Sequence, residues 1–400
     1  MISEKNSLIA NRLRNIRFVI FCILVAFVSI SKAAIEIAFG LMLLLWLAEN
    51  IMVKGWKIKD YFPKTKLNLP IAIFVGVLFL SVFNSVAFPL SLRKIFTKWI
   101  QHIMLYFFTV GIIDSKKKLR IVLSIFSMSL ALILVDGLWQ FITGVDFLYS
   151  RPIEGNWIRG HFCGLNIFGA FIILLSPIVV SFLFSLNKKI KKYGLIVFAL
   201  AIICLLLNCS IISWVALVLS LSIALLFNKR RIIRFIPCLI LLFILGVSFL
   251  STFKTRISEG FQNGFYSEGG RIAIWREYST EIIKNPILGK GISTTNVQIA
   301  EKYSKLPLVI KANPHSWYLL MALEAGLLGL IVYLWFLQRI FKIFFSSKKD
   351  LLWYGLFIGF LSFVMVNIVD NIWDERVQTL FWMIIGLVIV HSKLVMAKHD

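Results

Sequence analysis

The chain has 400 residues, 59% of them hydrophobic and 16% charged, and a formal net charge of +24. Such hydropathy excludes a soluble domain and implies an all-α polytopic membrane protein. The excess of base would suit a nucleic-acid partner only if it were gathered on one face, so the positions of the Lys and Arg decide its meaning.

In chain order, Arg12, Arg14 and Arg17 precede the first apolar run and no small-residue cleavage site follows it, which predicts an uncleaved first span. Apolar runs punctuated by turns or charges predict twelve membrane helices, at 16–31, 34–53, 69–88, 99–113, 121–143, 161–186, 194–208, 212–227, 236–252, 315–338, 351–369 and 377–392. The uncharged run from Gly194 to Phe227 is divided at Asn208 to Ser213, because one helix of that length would overshoot a hydrocarbon core of about 30 Å. With both termini in the cytoplasm, each inner segment holds a basic cluster, such as Lys54 to Lys66, Lys116 to Arg120 and Lys188 to Lys192. Clusters spread in this way set topology and exclude a nucleic-acid face. The chain reads as a single integral membrane domain, 1–400, in which the segment 253–314 forms one long outward-facing loop between spans nine and ten. The five cysteines, Cys22, Cys163, Cys204, Cys209 and Cys238, lie in or beside apolar runs without CxxC spacing, and read as small apolar residues.

Within the long loop, Ile272, Trp275, Ser279 and Ile282 recur at helical spacing before the stop at Asn285-Pro286, predicting a short amphipathic helix on the membrane surface. Arg271 stands at its start after Gly269-Gly270, where a guanidinium, free N–H groups and an open backbone make an anion site. Arg276 lies about 140° further round that helix and faces another way, which suits snorkelling toward headgroups or pairing with Glu277 or Glu281. A second outer cluster runs from Arg159 through Gly160, His161 and Gly164 to Asn166, a composition shared with ordinary interfacial anchors.

The stretch Lys311 to Leu330 is the centre of the reading. Pro314 suits a first helical turn with Asn313 as its N-cap, which puts His315 at the mouth of a membrane helix. There the helix dipole favours a neutral, proton-accepting imidazole, although an interfacial histidine bonded to backbone fits the same position. A neutral base and arginines at an outer membrane surface suit a lipid-borne phosphorylated donor: the cations meet the departing phosphate and His315 takes a proton from an attacking hydroxyl. No Asp-x-Asp and no His or Cys group with metal spacing occurs, which disfavours a metal-dependent mechanism. Glu324 falls about 900° of rotation after His315, on the opposite helix face and two turns deep, where a structural bond to a neighbouring helix is expected. Ala322 with Gly326, and Ala325 with Gly329, are spaced for close helix contact. A transporter for a lipid-linked anion is the competing class, but mid-span charges are sparse and no repeat is visible.

The run His315-x3-Leu319-x4-Glu324-x-Gly326-x2-Gly329-Leu330 resembles the signature of the O-antigen ligase and O-antigen polymerase superfamily. Gly270-Arg271 with Trp275 and Asn285-Pro286-x2-Gly289 is similar to that family's loop motif, and Arg159-Gly160-x-Phe162-x3-Asn166-x2-Gly169 to its mid-chain outer motif. The resemblance implies a periplasmic-face glycosyltransferase of the bacterial inner membrane, independent of metal or cofactor, that moves a glycan from undecaprenyl diphosphate to a hydroxyl. It implies His315 as catalytic base, Arg271 on the donor diphosphate, and Asn166, Glu324 and Gly326 in support. The acceptor would be lipid A core for a ligase, the branch this arrangement resembles more, or a second lipid-linked unit for a polymerase. One departure stands out: Ile211 occupies the place of a family arginine after the seventh span. Either Arg159 or Arg276 takes over that contact, or the donor is held differently, or the chain is impaired.

Overall fold

A computed structural model describes residues 4–153, 157–180, 187–227, 270–294 and 314–396. Its elements in order are α1 (Glu4–Phe27), α2 (Lys32–Lys54), α3 (Asn68–Phe83), α4 (Phe88–Ile112), α5 (Lys116–Thr143), α6 (Leu165–Val180), α7 (Lys188–Asn208), α8 (Ile211–Phe227), α9 (Arg271–Lys284), α10 (Trp317–Ser346), α11 (Leu351–Val369) and α12 (Glu375–Met396). Seven of these are long and apolar enough to cross a membrane, and α3, α6 and α8 are shorter apolar helices of the same bundle. The protein is an all-helical polytopic membrane protein. The expected ninth span, 236–252, and the loop residues 253–269 and 295–313 lie outside the described residues.

The end of α3 and the starts of α4, α6, α8, α10 and α12 gather at one end of the bundle, joined by contacts of Asn84 with Gly289, Ser91 with Ile292, Ser210 with Asn166, Asn166 with Asp370 and Trp317 with Trp373. α11 is central, packing along α6 and α8, while α12 packs on α4 and α10 on α3. The α6–α11 contact depends on two glycines one turn apart: a Cβ on Gly355 would stand 2.6 Å from the Pro177 carbonyl oxygen, and one on Gly359 2.6 Å from that of Leu174. Lacking a hydrophobic drive between helices in lipid, close backbone approach of this kind supplies dispersion contact instead.

The first helix begins at Glu4, 12 residues before the expected 16, and two further helices differ from expectation in ways that bear on the site. The fourth begins at Phe88, not 99, because Pro89 fits its first turn and the charged residues Arg93, Lys94 and Lys98 lie inside the helix; a π-turn over Ile95–Ile100 follows. The tenth begins at Trp317 and is interrupted at Gly326 (φ 73°, ψ 178°). The 20 residues that follow, Leu327 to Ser346, rise about 30 Å and can span the core alone. The nine from Trp317 to Ala325 form a separate segment at the C-terminal end of α3. Glu324 is therefore not deep in a membrane helix; it is buried at the joint between these two pieces.

Candidate active site

The helix cap of α10 is Ser316, whose hydroxyl accepts from the Leu319 N–H at 3.5 Å. His315 therefore precedes the helix instead of opening it, and it has a left-handed backbone (φ 47°). Asn313, the expected cap, lies outside the described residues. Left-handed backbone costs a residue with a Cβ about 1 kcal/mol or more, and such residues persist where surrounding contacts over-determine them.

The contact that holds His315 is to Asp370, the residue that ends α11. Nδ1 lies 3.4 Å from Asp370 Oδ1; the imidazole is 37% exposed and the carboxylate 5%. A carboxylate only accepts, so in the neutral ring this contact places the proton on Nδ1 and makes Nε2 the basic nitrogen. Asp370 is itself fixed: Oδ1 accepts from the Asn371 N–H at 2.8 Å, and Oδ2 accepts from the Asn166 side-chain amide. Ser210 donates to Asn166 Oδ1 at 2.9 Å, with Ser213 Oγ 2.9 Å behind it. A hydrogen-bonded row thus joins the starts of α8 and α6, the end of α11 and His315. Beside it, Asn208 donates to the carbonyls of Ile158 (2.8 Å) and Leu165 (3.0 Å), tying the loop that carries Arg159 to α7. Below the row, Trp317 stacks on Trp373, centroids 4.1 Å apart, which locks the start of α10 to the loop after Asp370.

The amphipathic helix forms as α9, with Tyr278 and Ile282 buried and Ile274 and Trp275 half-buried. The face is turned from the expected one, for Ile272 and Ser279 are exposed. Arg271 lies on the inward side, one helical turn from Trp275, whose indole N–H donates to the Pro314 carbonyl at 2.7 Å. Four residues of α-helix rise about 6 Å, so Arg271 lies one turn of α9 from the residue that bonds the Pro314 carbonyl. Arg276 is exposed on another side of α9 and is not brought to this cluster. Arg159 is half-buried, donates from Nη2 to the Pro152 carbonyl at 3.3 Å, and is held by its own N–H on Gln140.

His161, noted beside Arg159, has a structural place. It is fully buried, Nδ1 lies 2.8 Å from Asp136 Oδ2, and Nε2 lies 2.8 Å from the Ser29 carbonyl oxygen. Asp136 also accepts from the Phe147 and His161 N–H groups, so this carboxylate of α5 ties together two described parts of the chain that follows it.

Residues Asn285 to Gly291 dock into the interruption of α10. The freed carbonyls of Leu323 and Glu324 accept from the N–H groups of Lys290 (2.8 Å) and Gly291 (3.0 Å), and the Leu327 N–H donates to the Pro286 carbonyl at 2.7 Å. Asn84, at the end of α3, donates to the Gly289 carbonyl at 2.6 Å. The side chain of Lys290 lies 3.6 Å from Glu281, and hydrogen bonding from Lys284, with Lys290 alongside, holds the Glu281 carboxyl below its usual range. Gly326 therefore serves a backbone joint and not the small-residue helix contact its spacing suggested: a Cβ there would lie 2.0 Å from the Ile287 carbonyl oxygen.

Ile211 is the first residue of α8, directly after Ser210. The expected arginine position is thus adjacent to the Asn166–Asp370–His315 row, and here it is apolar. Asp370 escaped sequence reasoning; its signal was a carboxylate closing an apolar run, three residues before Trp373.

Comparison with known proteins gives a concordant result. The family described as O-Antigen ligase matches residues 195–334. Proteins provisionally named polysaccharide ligases are similar over about 145 residues: one from Rickettsia conorii at 26% identity, covering 34% of this chain and 33% of its own length, and one from Rickettsia prowazekii at 27%, covering 34% of each. The chain spans about a third of the length of these relatives. Residues 195–334, which include Ile211, Arg271, His315, Glu324 and Gly326, are thus the part of the chain that is similar to the O-antigen ligase family.

Proposed function

We propose that the protein is a metal-independent glycosyltransferase of the bacterial inner membrane, working at the periplasmic face with both termini in the cytoplasm. Its donor is a glycan on undecaprenyl diphosphate and its acceptor a hydroxyl of lipid A core. The observation that carries this reading is the His315–Asp370 contact, supported by the bond from Trp275 of α9, the helix that begins at Arg271, to the Pro314 carbonyl. The acceptor oxygen attacks the anomeric carbon and its proton passes to Nε2 of His315. The bond from that carbon to the diphosphate oxygen breaks, and the charge gained by the diphosphate is met by Arg271. A 3.4 Å base contact suits a site without substrate, since catalytic hydrogen bonds tighten when the reactants arrive. The same chemistry with a second lipid-linked repeat unit as acceptor would make the protein a polymerase.

Purified protein given an undecaprenyl-diphosphate-linked glycan, a chelator and either acceptor tests both readings. Product on lipid A core supports the ligase; elongated lipid-linked chains support the polymerase. Failure with both, cured by Ile211→Arg, would show that the present cations do not suffice. Arg271→Ala is expected to weaken donor use by about 10- to 100-fold, the loss of a hydrogen bond to a charged group. Arg276→Ala serves as its surface control and should change little. Equal effects of the two substitutions on transfer would reassign Arg271 to packing.

A further inference from the structure

At the end of the bundle opposite His315, the middle of α1, the end of α2, the turn after it and the end of α4 enclose a cavity of about 250 Å³. Arg17 lines it and is 4% exposed, with Nη2 2.8 Å from Glu49 Oε2. Its Nε and Nη1 are buried and meet no acceptor among the described residues. Arg14 places Nε and Nη2 each 3.1 Å from the other oxygen of the same Glu49. One carboxylate thus serves two guanidinium groups. Lys54 and Lys64 add two further cations to the lining and Asp60 one more anion, leaving an excess of two positive charges. Buried donors without partners and an uncompensated charge are costly, and an anion seated in the cavity removes both costs. Aromatic side chains complete the wall, among them Trp46 and Phe107, so the chamber offers an apolar face beside its cations.

We propose that this cavity binds a membrane-lipid headgroup of net negative charge through its phosphate. The size admits a phosphate and its ester, the position is at the basic end of a membrane bundle, and the aromatic wall suits the glycerol and first methylenes of a lipid. Basic pockets between membrane helices take anionic headgroups for these reasons. The site is distant from His315 and does not depend on the proposed transfer reaction.

The test is native mass spectrometry of the purified full-length protein titrated with phosphatidylglycerol, with phosphatidylcholine as a zwitterionic control and inorganic phosphate as competitor. Phosphatidylglycerol is expected to bind about tenfold more tightly than phosphatidylcholine, on the scale of one to two cation contacts. The double variant Arg17→Gln, Glu49→Gln removes the buried charge together with its partner and should abolish that preference. Lys64→Gln, on the exposed rim, should reduce it by about threefold without touching the core. Equal binding of the two lipids, or a preference that survives both variants, overturns the proposal. Displacement of phosphatidylglycerol by an equal concentration of inorganic phosphate would assign the cavity to a soluble phosphate and overturn the lipid source. Glycan transfer is expected to persist in both variants.

Discussion

His315→Ala is expected to lower glycan transfer by about 10²–10⁴-fold while the protein still inserts in the membrane, the usual range for loss of a general base. Asp370→Asn should cost about tenfold or more by itself, because an amide can turn its N–H toward Nδ1 and remove the acceptor that selects the Nδ1–H tautomer. The two residues touch at 3.4 Å, so their effects should not add. Once His315 is alanine, Asp370→Asn should change transfer little further. Full additivity in the double variant would mean that Asp370 acts on its own, as an anchor for Asn166, and would sink the idea of a paired base. Retained activity in His315→Ala would sink the base itself.

Gly326→Ala should be the most damaging single change away from His315. The new methyl would enter the Ile287 carbonyl at 2.0 Å, and the residue would have to keep φ 73°. Relief requires either closing α10 into a continuous helix or expelling the Asn285 to Gly291 segment. Both outcomes break the three backbone bonds that link this segment to Leu323, Glu324 and Leu327. With buried backbone groups left unpaired, a loss of about 3 kcal/mol or more is expected. Gly289→Ala should behave alike, since its Cβ would meet the Leu323 carbonyl oxygen at 2.5 Å. Gly76→Ala, a helical position with open space around it, is the control and should be neutral. Thermal unfolding in detergent separates them, and a Gly326→Ala protein with unchanged melting and transfer would show that the joint is dispensable. Because the docked segment continues from α9, disruption here should also lower donor use, by releasing the helix that presents Arg271.

Much of the architecture was legible in the chain itself. The predicted span 351–369 has the bounds of α11, and the division placed between Asn208 and Ser213 falls where α7 ends and α8 begins. Both follow from local causes: apolar length against a core of about 30 Å, and polar residues where a helix must stop. The motif residues His315, Arg271, Arg159 and Asn166 could be selected in the same way, as polar groups beside the ends of apolar segments. Lys98 shows the limit of that logic, since a charge inside a helix looked like a loop and displaced the start of α4 by 11 residues.

The tertiary structure alone decided which of these groups meet. Asp370 reaches His315 across 55 positions of the chain and Asn166 across 204. Periodicity reports whether a side chain faces protein or lipid, but not which helix end stands opposite it. Gly326 makes the same point. Its spacing with Ala322 reads as a helix contact, whereas its function is to open α10 for a segment 35 to 41 positions earlier, whose backbone satisfies the groups that the opening exposes. Helix length and hydropathy are properties of the local chain; the partners of a freed carbonyl or a buried carboxylate are set by how the helices cross.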